Sequence, residues 1–242
     1  MLLPDLVLEG KMPLSYEDPL TYLPRKPLQE FAKSQMVYGP DKPADRLYLV
    51  ILGRVKISAT SDDGGQTIAR IVCPEGLFGE ACMIGGASGA ETVVAIDNVT
   101  VMSWTRSEIE QQIEREPRLG VALTQYMVRQ CLELKDRIES MAIYKTPERV
   151  MLAFVQLAAT LGTPMADGAT RVASLTHHTL AEFVGTSREI VTFQMNRLRR
   201  LGLIRYSRQY IDIYVRPIED ALREQGVHMP EVATEAVRRA VG

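Results

Sequence analysis

The sequence predicts an α+β protein with an all-β N-terminal half, a long connecting helix, and a small helical C-terminal domain that closes in two short strands. Three observations carry this. Residues 37–104 read as short apolar alternations separated by turn residues, and residues 107–140 run with Gly120 as their only glycine. Residues 176–198 hold a helix–glycine–helix pattern, followed by two further alternations.

A length of 242 residues accommodates two domains, each large enough to bury its own core. Hydrophobic residues at 46% and charged residues at 24% lie in the range of folded globular chains and exclude a disordered one. Residues 1–36 stand apart as an N-terminal extension. Met1–Lys11 carries Asp5 and Glu9 and lacks a basic start before an apolar run, so it does not read as a signal peptide. No apolar stretch approaches the roughly 20 residues of a membrane span, and a cytoplasmic location without membrane contact is expected.

The barrel is expected over 37–106. Its strand candidates are Leu47–Ile51, Val55–Ile57, Thr67–Val72, Thr92–Ile96 and Val99–Met102. Between them stand Gly39-Pro40, Asp62–Gly65, Pro74–Gly76 and Asp97-Asn98, the chemistry of turns in an antiparallel sandwich or barrel. A connecting helix is expected over 107–144, opened by Ser107 with Glu110 three residues on and interrupted at Pro117. Along it Leu123, Met127, Cys131, Leu134, Ile138 and Met141 recur at steps of three or four. Such a stripe can pack on its own barrel or pair with a second copy. Its narrowness and the flanking Arg129, Glu133, Lys135, Asp136, Arg137 and Glu139 favour a short coiled coil in a homodimer.

Tyr144–Pro147 marks a hinge, because proline biases the preceding residue away from helix and suits the first turn of a new one. A second domain is expected over 145–216. Its first helix, Pro147–Leu161, sets Val150, Met151, Phe154, Leu157 and Ala158 on one side and closes at Gly162 and Pro164. After a loop at Ala166–Gly168 comes the most informative stretch. Two helices crossing steeply need a small residue at their contact, apolar inner faces, and a corner residue that tolerates positive φ. Ala181, then Leu180, Val184, Val191 and Leu198, and finally Gly185 fill these roles. Thr186 and Glu189 are spaced as a capping box for the second helix. Ile204–Tyr206 and Tyr210–Tyr214 then read as a wing with Arg208 at its tip.

The charge distribution agrees with a polyanion partner. The net charge is −2, yet residues 186–216 hold seven arginines against Glu189 and Asp212. A helix-turn-helix with a basic second helix predicts double-stranded DNA as partner. Arg188 is expected to donate two hydrogen bonds to a guanine and Glu189 to accept from a cytosine amino group. Thr186, Ser187, Arg208 and His177 are expected on phosphates, with Arg197 further along the same helix. No catalytic constellation and no metal site is expected. An enzyme on a cupin-like barrel is disfavoured because residues 37–104 contain no histidine. A module whose winged helix contacts a protein is the remaining alternative.

Taken together, several segments resemble the cyclic-AMP receptor protein and fumarate-nitrate regulator (Crp/Fnr) family of bacterial transcription regulators. These are Gly39–Val50, Gly53–Ile57, Gly76–Glu80, Val184–Glu189 and the wing, within about 37–215 of the chain. The resemblance implies a double-stranded β-helix sensor barrel, a cyclic-nucleotide-binding-like jelly roll, followed by a dimerisation helix. It also implies two recognition helices reading a palindrome one DNA turn apart, with RNA polymerase as a further partner for an activator. Arg188 and Glu189 match the family's base-reading pair. Phe193 stands where cyclic-AMP receptor proteins carry a second arginine, and would touch a thymine methyl or pack.

The effector pocket implied by the resemblance comprises Gly79, Glu80, Glu91 and Thr92, with Leu134 and Lys135 from the helix. The Gly79-Glu80 pair matches the family's ribose contact. The phosphate-holding Arg-Ser or Arg-Thr pair is absent, since the corresponding region reads Gly89-Ala90-Glu91-Thr92 and no Lys, Arg or His occurs from Ile71 to Thr105. A carboxylate beside a buried phosphate without a cation is unfavourable, so cyclic AMP and cyclic GMP are not expected. An iron–sulfur cluster needs four cysteines, whereas the chain has Cys73, Cys82 and Cys131. Histidine-ligated haem fails because His177, His178 and His228 all follow the barrel. Cys73 and Cys82 are expected as inert buried thiols, with a redox pair across the barrel as the alternative. The tail over 217–242, with Ala221, Val232, Ala236 and Val237 at helical intervals, is expected to brace the wing or the dimer.

Overall fold

A computed structural model describes residues 16–60, 66–85 and 91–227. Two four-stranded antiparallel sheets form the N-terminal domain. One contains β1 (Gln29–Phe31), β3 (Arg46–Leu52), β6 (Leu77–Phe78) and β8 (Val99–Thr105), in the order β1-β8-β3-β6. The other contains β2 (Met36–Tyr38), β4 (Val55–Thr60), β5 (Gln66–Val72) and β7 (Glu91–Ala95), in the order β2-β7-β4-β5. Alternation sends Val50, Val55, Ile57, Val93, Val99 and Val101 inward to one core, where the period of two leaves their polar neighbours outside. Tyr38, Tyr48 and Phe78 stack within it, the last two at 4.9 Å between ring centres. At the β3–β4 turn Gly53 adopts φ +81°, and a Cβ there would lie 2.2 Å from the Asn98 carbonyl oxygen, so only glycine fits.

The barrel begins earlier than expected. β1 lies inside the stretch read as an extension and pairs with β8 in register Gln29↔Val101, because β8 would otherwise present an open edge. Upstream, the Pro24 carbonyl accepts from the buried Trp104 indole at 2.8 Å.

Helix α1 (Arg106–Arg115) is capped two residues earlier than expected. Its cap is Thr105 rather than Ser107, with a reciprocal box to Glu108, because β8 runs directly into the helix. Glu110 instead pairs with Arg106. The break at Pro117 is present, and α2 (Arg118–Ile143) follows as one helix of 26 residues.

The C-terminal domain contains α3 (Thr146–Leu161), α4 (His177–Val184), α5 (Arg188–Arg200) and α6 (Val215–Glu224). Its sheet, in the order β11-β12-β10-β9, joins the wing strands β11 (Ile204–Tyr206) and β12 (Tyr210–Ile213) to β9 (Thr163–Pro164) and β10 (Thr170–Ala173). The last two flank the loop at Ala166–Gly168 and are absent from the sequence reading. They form because Gly168, at φ +79°, turns the chain back so that Val172 can bury opposite Ile211. α6 takes up the start of the expected tail and packs Ile218 and Leu222 into the core. Val232, Ala236 and Val237 lie outside the described residues.

The two domains share one apolar cluster. Ile68 and Ile71 of β5 pack with α3 and α4 residues such as Val155, Leu180 and Phe183. No helix of the described residues is long and apolar enough to cross a membrane.

Candidate nucleic-acid interface

Helix α4 is capped by Thr176, whose hydroxyl accepts from the Thr179 amide at 3.0 Å. It ends at Gly185 with φ +73°, the left-handed corner that lets α5 leave at a steep angle. The amides of both Gly185 and Thr186 donate to the Ala181 carbonyl, so Thr186 is consumed in closing α4 and belongs to the turn. The α5 cap is therefore Ser187, whose Oγ accepts from the Ile190 amide at 3.3 Å. The expected Thr186–Glu189 box is not formed.

α5 buries Val191, Gln194, Met195 and Leu198, and leaves Glu189, Phe193, Arg197 and Arg200 as an outward stripe at i, i+4 spacing and its close equivalent. Arg188 and Glu189 are exposed in its first turn. The Glu189 backbone amide and the Ser187 hydroxyl hydrogen-bond its carboxylate, holding it below the usual glutamate range and therefore ionised. Arg188, Arg197, Arg200 and Arg208 make no ion pair among the described residues, and Arg208 is exposed at the wing tip. Arg205, by contrast, is spent internally on Asp167 (2.5 Å) and Asp212 (3.2 Å).

His177 takes a different place from the one expected. Its Nδ1 lies 2.8 Å from the Thr192 hydroxyl and its ring meets Tyr206 edge-on, so it braces α4 against α5 and the wing. Tyr206 in turn donates to Asn196 at 3.1 Å. These contacts orient α5; Arg199 lies 5.4 Å from the Tyr206 ring centre, while Arg188, Arg197 and Arg200 remain without an ion pair among the described residues.

The expected effector residues fall into two groups: Glu80 and Glu91 both lie close enough to the Tyr38 hydroxyl to raise its pKa, whereas Leu134 and Lys135 lie on the long helix. A cavity of about 430 Å³ lies between β5, α2, α3 and α4, and of the six residues only Leu134 lines it. Lys135 faces outward beside Glu139 at 3.5 Å. Glu91 accepts from the Tyr38 hydroxyl at 2.5 Å, and the Thr92 carbonyl accepts from Ser58. Gly79 holds φ +83° against the Arg46 carbonyl, and Gly89 and Ala90 lie outside the described residues. Glu80 is met by a cation the sequence reading overlooked, because it stands one residue ahead of the stretch inspected: Arg70 donates to Glu80 at 2.6 Å and to the Leu77 carbonyl at 3.2 Å, and reaches Gln130 on α2.

The helix stripe also divides. Leu123 packs on the barrel with Trp104, Ile109 and Tyr126, and Met141 faces the Gly185 corner with its terminal methyl. Cys131, Leu134 and Ile138 point outward, Met127 is half-buried, and Val121, Val128 and Leu132 join the exposed apolar surface. Cys73 and Cys82 lie in different clusters, and burial pushes their thiols up to about 12 and about 11, which suits inert packing. Among the described residues no three His, Cys, Asp or Glu side chains gather as a metal site.

Arg137, on α2, was not singled out as functional. Its guanidinium donates to the carbonyls of Ile68, Ala69 (2.9 Å) and Phe183 (2.7 Å), and lies 4.9 Å from the Phe183 ring centre. Burial lowers its pKa to about 10. Nearby, Lys56 of β4 meets the buried Glu182 of α4 at 2.8 Å, which His178 also approaches at 3.2 Å. Barrel, long helix and helix-turn-helix are thus pinned at one junction.

Comparison with known proteins places two family models on this architecture. The cyclic nucleotide-binding domain matches residues 28–116 and the Crp-like helix-turn-helix domain matches residues 148–218. The chain is 31% identical over 168 residues to the transcriptional regulator SdrP of Thermus thermophilus, covering 69% of this chain and 78% of that protein. It is 29% identical over 177 residues to the CRP-like cAMP-activated global transcriptional regulator of Mycobacterium tuberculosis, covering 73% and 79%. In fold it is similar to FixK2 of Bradyrhizobium japonicum, with a TM-score of 0.69 at 20% identity, over 80% of this chain and 96% of that one.

Proposed function

Because the chain belongs to the Crp/Fnr family of DNA-binding transcription regulators, we propose that it binds a palindromic duplex as a homodimer and that cyclic AMP is not its effector. The observation that carries the DNA reading is the outward face of α5. A Ser187-capped helix start presents an exposed Arg188 and an ionised Glu189, flanked by Arg197, Arg200 and Arg208. Unpaired cations in the last turn of α5 and at the wing tip suit phosphates, and the Arg188-Glu189 pair at the helix start suits the edge of a G·C pair.

Homodimer formation is supported by the outward apolar surface of α2, Val121, Val128, Cys131, Leu132 and Ile138, which a second α2 would cover. Two α5 helices related by a two-fold axis would then read two half-sites. An activator of this kind would also contact RNA polymerase.

The effector reading rests on charge. Glu80 is already neutralised by Arg70, Glu91 is occupied by Tyr38, and the rings of Tyr38, Tyr48 and Phe78 stack in the barrel core beside them. A cyclic phosphate would meet two carboxylates and would need Arg70 to abandon Glu80. The test is a site selection from random duplexes on the full chain, with oligomeric state measured by light scattering, followed by calorimetric titration with cyclic AMP. Enrichment of a two-fold site by a dimer, with no heat from cyclic AMP, is expected. A monomer that enriches no site would refute the DNA reading, and saturable cyclic-AMP binding would refute the effector reading.

A further inference from the structure

Phe193 and Ile190 are exposed apolar side chains on a face of α5 that otherwise carries arginines, a glutamate and polar residues. Phe193 is 60% exposed and Ile190 41% exposed, while the same helix buries Val191, Met195 and Leu198 completely or nearly so. Phe193 sits in the middle of the outward stripe, between Glu189 and Arg197, and Ile190 lies one turn back at i, i+3. Neither residue helps the fold there: the cap is Ser187 and the core face is filled. An aromatic ring and a branched aliphatic chain exposed one helical turn apart make an apolar patch of the kind a partner covers.

Their surroundings decide which partner. Arg188, Arg197 and Arg200 bracket the pair with free positive charge, and the polar residues beside it are already committed: Thr192 to the Arg188 carbonyl and His177, Asn196 to Tyr206 and the Thr192 carbonyl. The centre of this face therefore offers no free amide or hydroxyl to a base edge, only hydrocarbon. In the major groove one group answers hydrocarbon, the C5-methyl of thymine. We propose that Phe193 and Ile190 form a methyl-reading patch that selects a thymine next to the base pair read by Arg188 and Glu189. This rests on the DNA reading above and specifies it: the half-site is distinguished by a methyl group as well as by hydrogen bonds.

The test uses the full chain and its selected duplex, with each thymine of the half-site replaced in turn by deoxyuridine in both halves of the palindrome. Deoxyuridine keeps every hydrogen-bonding group and removes the methyl alone. At one position the wild-type chain should lose about fourfold affinity per half-site, the worth of one buried methyl group. Phe193→Ala should bind more weakly and lose its sensitivity at that position, while Phe193→Leu should recover part of it. Because Phe193 is exposed, both variants should melt as the wild type does. A selected duplex whose thymine methyls are all silent, or a methyl effect of equal size in Phe193→Ala, overturns this inference and leaves the DNA reading standing. Failure to select any duplex overturns both.

Discussion

Replacing Arg188 by alanine separates base reading from every other role of α5. The side chain is exposed and makes no ion pair among the described residues, and the helix start is held by Ser187. The Thr192 hydroxyl donating to the Arg188 carbonyl at 2.8 Å uses backbone and survives the change. Arginine and alanine differ little in helix propensity, so stability should stay within about 0.5 kcal/mol of wild type. A bidentate contact to guanine is worth about 1–3 kcal/mol. At 1.4 kcal/mol per decade, this converts to about 5- to 140-fold in Kd on the selected duplex. On random duplexes only one cation's share of counterion release is lost, a much smaller factor. Arg188→Lys keeps the charge without the fork, so it should restore random-sequence binding and leave the specific loss in place. Fluorescence anisotropy on selected and scrambled duplexes, at one fixed salt concentration, measures both. Equal loss on the two duplexes would refute the assignment, as would a lowered melting temperature, which would make Arg188 structural.

Three further outcomes follow from the same geometry. Arg208→Ala, at the wing tip, should weaken all duplexes alike and reduce the slope of log affinity against log salt by about one; a change in sequence preference would contradict a phosphate contact. Glu182→Gln breaks the buried pair with Lys56 while preserving shape, and because Lys56 and especially His178 can rehydrate, the cost should be about 1.5–3 kcal/mol rather than that of a fully enclosed pair. Hydrogen exchange should show α4 and β5 amides losing protection together, and unchanged exchange would mean that the apolar contacts and the Arg137 hydrogen bonds hold the junction without this pair. Asp212, buried between Arg171 (2.6 Å) and Arg205, has its pKa held down chiefly by the hydrogen bonds from Arg171. Its stabilisation is present above the unfolded value of about 3.9 and is lost as pH falls through the lower folded value. Denaturant titrations should therefore show stability falling below about pH 4 in the wild type and a shallower fall in Asp212→Asn; parallel profiles would remove Asp212 as a source of acid sensitivity.

What the sequence made legible was whatever rests on contacts close along the chain. The α4–Gly185–α5 corner needs a small residue, a left-handed glycine and two apolar faces within about twenty positions, and each is written in order between Thr176 and Leu198. The wing was readable for the same reason. Caps were read less accurately: Thr186 for Ser187 and Ser107 for Thr105 are shifts of one and two residues, and both arise because a hydroxyl's role depends on where the preceding element releases its last amide.

Contacts between distant segments were harder to read. The stripe from Leu123 to Met141 has the period of a helix face, but periodicity gives an angle without saying what lies at that angle. Tyr126 settles the matter, because its hydroxyl exchanges hydrogen bonds with the Leu77 backbone and rotates Leu123 onto the barrel, sending Val121, Val128 and Ile138 to the outside. Arg70 and Arg137 escaped for a related reason. Each is a lone arginine amid ordinary neighbours, and only folding places the first on Glu80 and the second among the carbonyls of Ile68, Ala69 and Phe183. Arg137 is informative because it bonds to backbone on both sides of the domain boundary. A shift of α4 relative to β5 must break some of these bonds, and the charge would remain buried without a carboxylate to meet it. The position of the helix-turn-helix relative to the barrel is therefore coupled to a guanidinium on the long helix, beside the Lys56–Glu182 pair and the shared apolar cluster, a coupling that no single segment of the chain encodes.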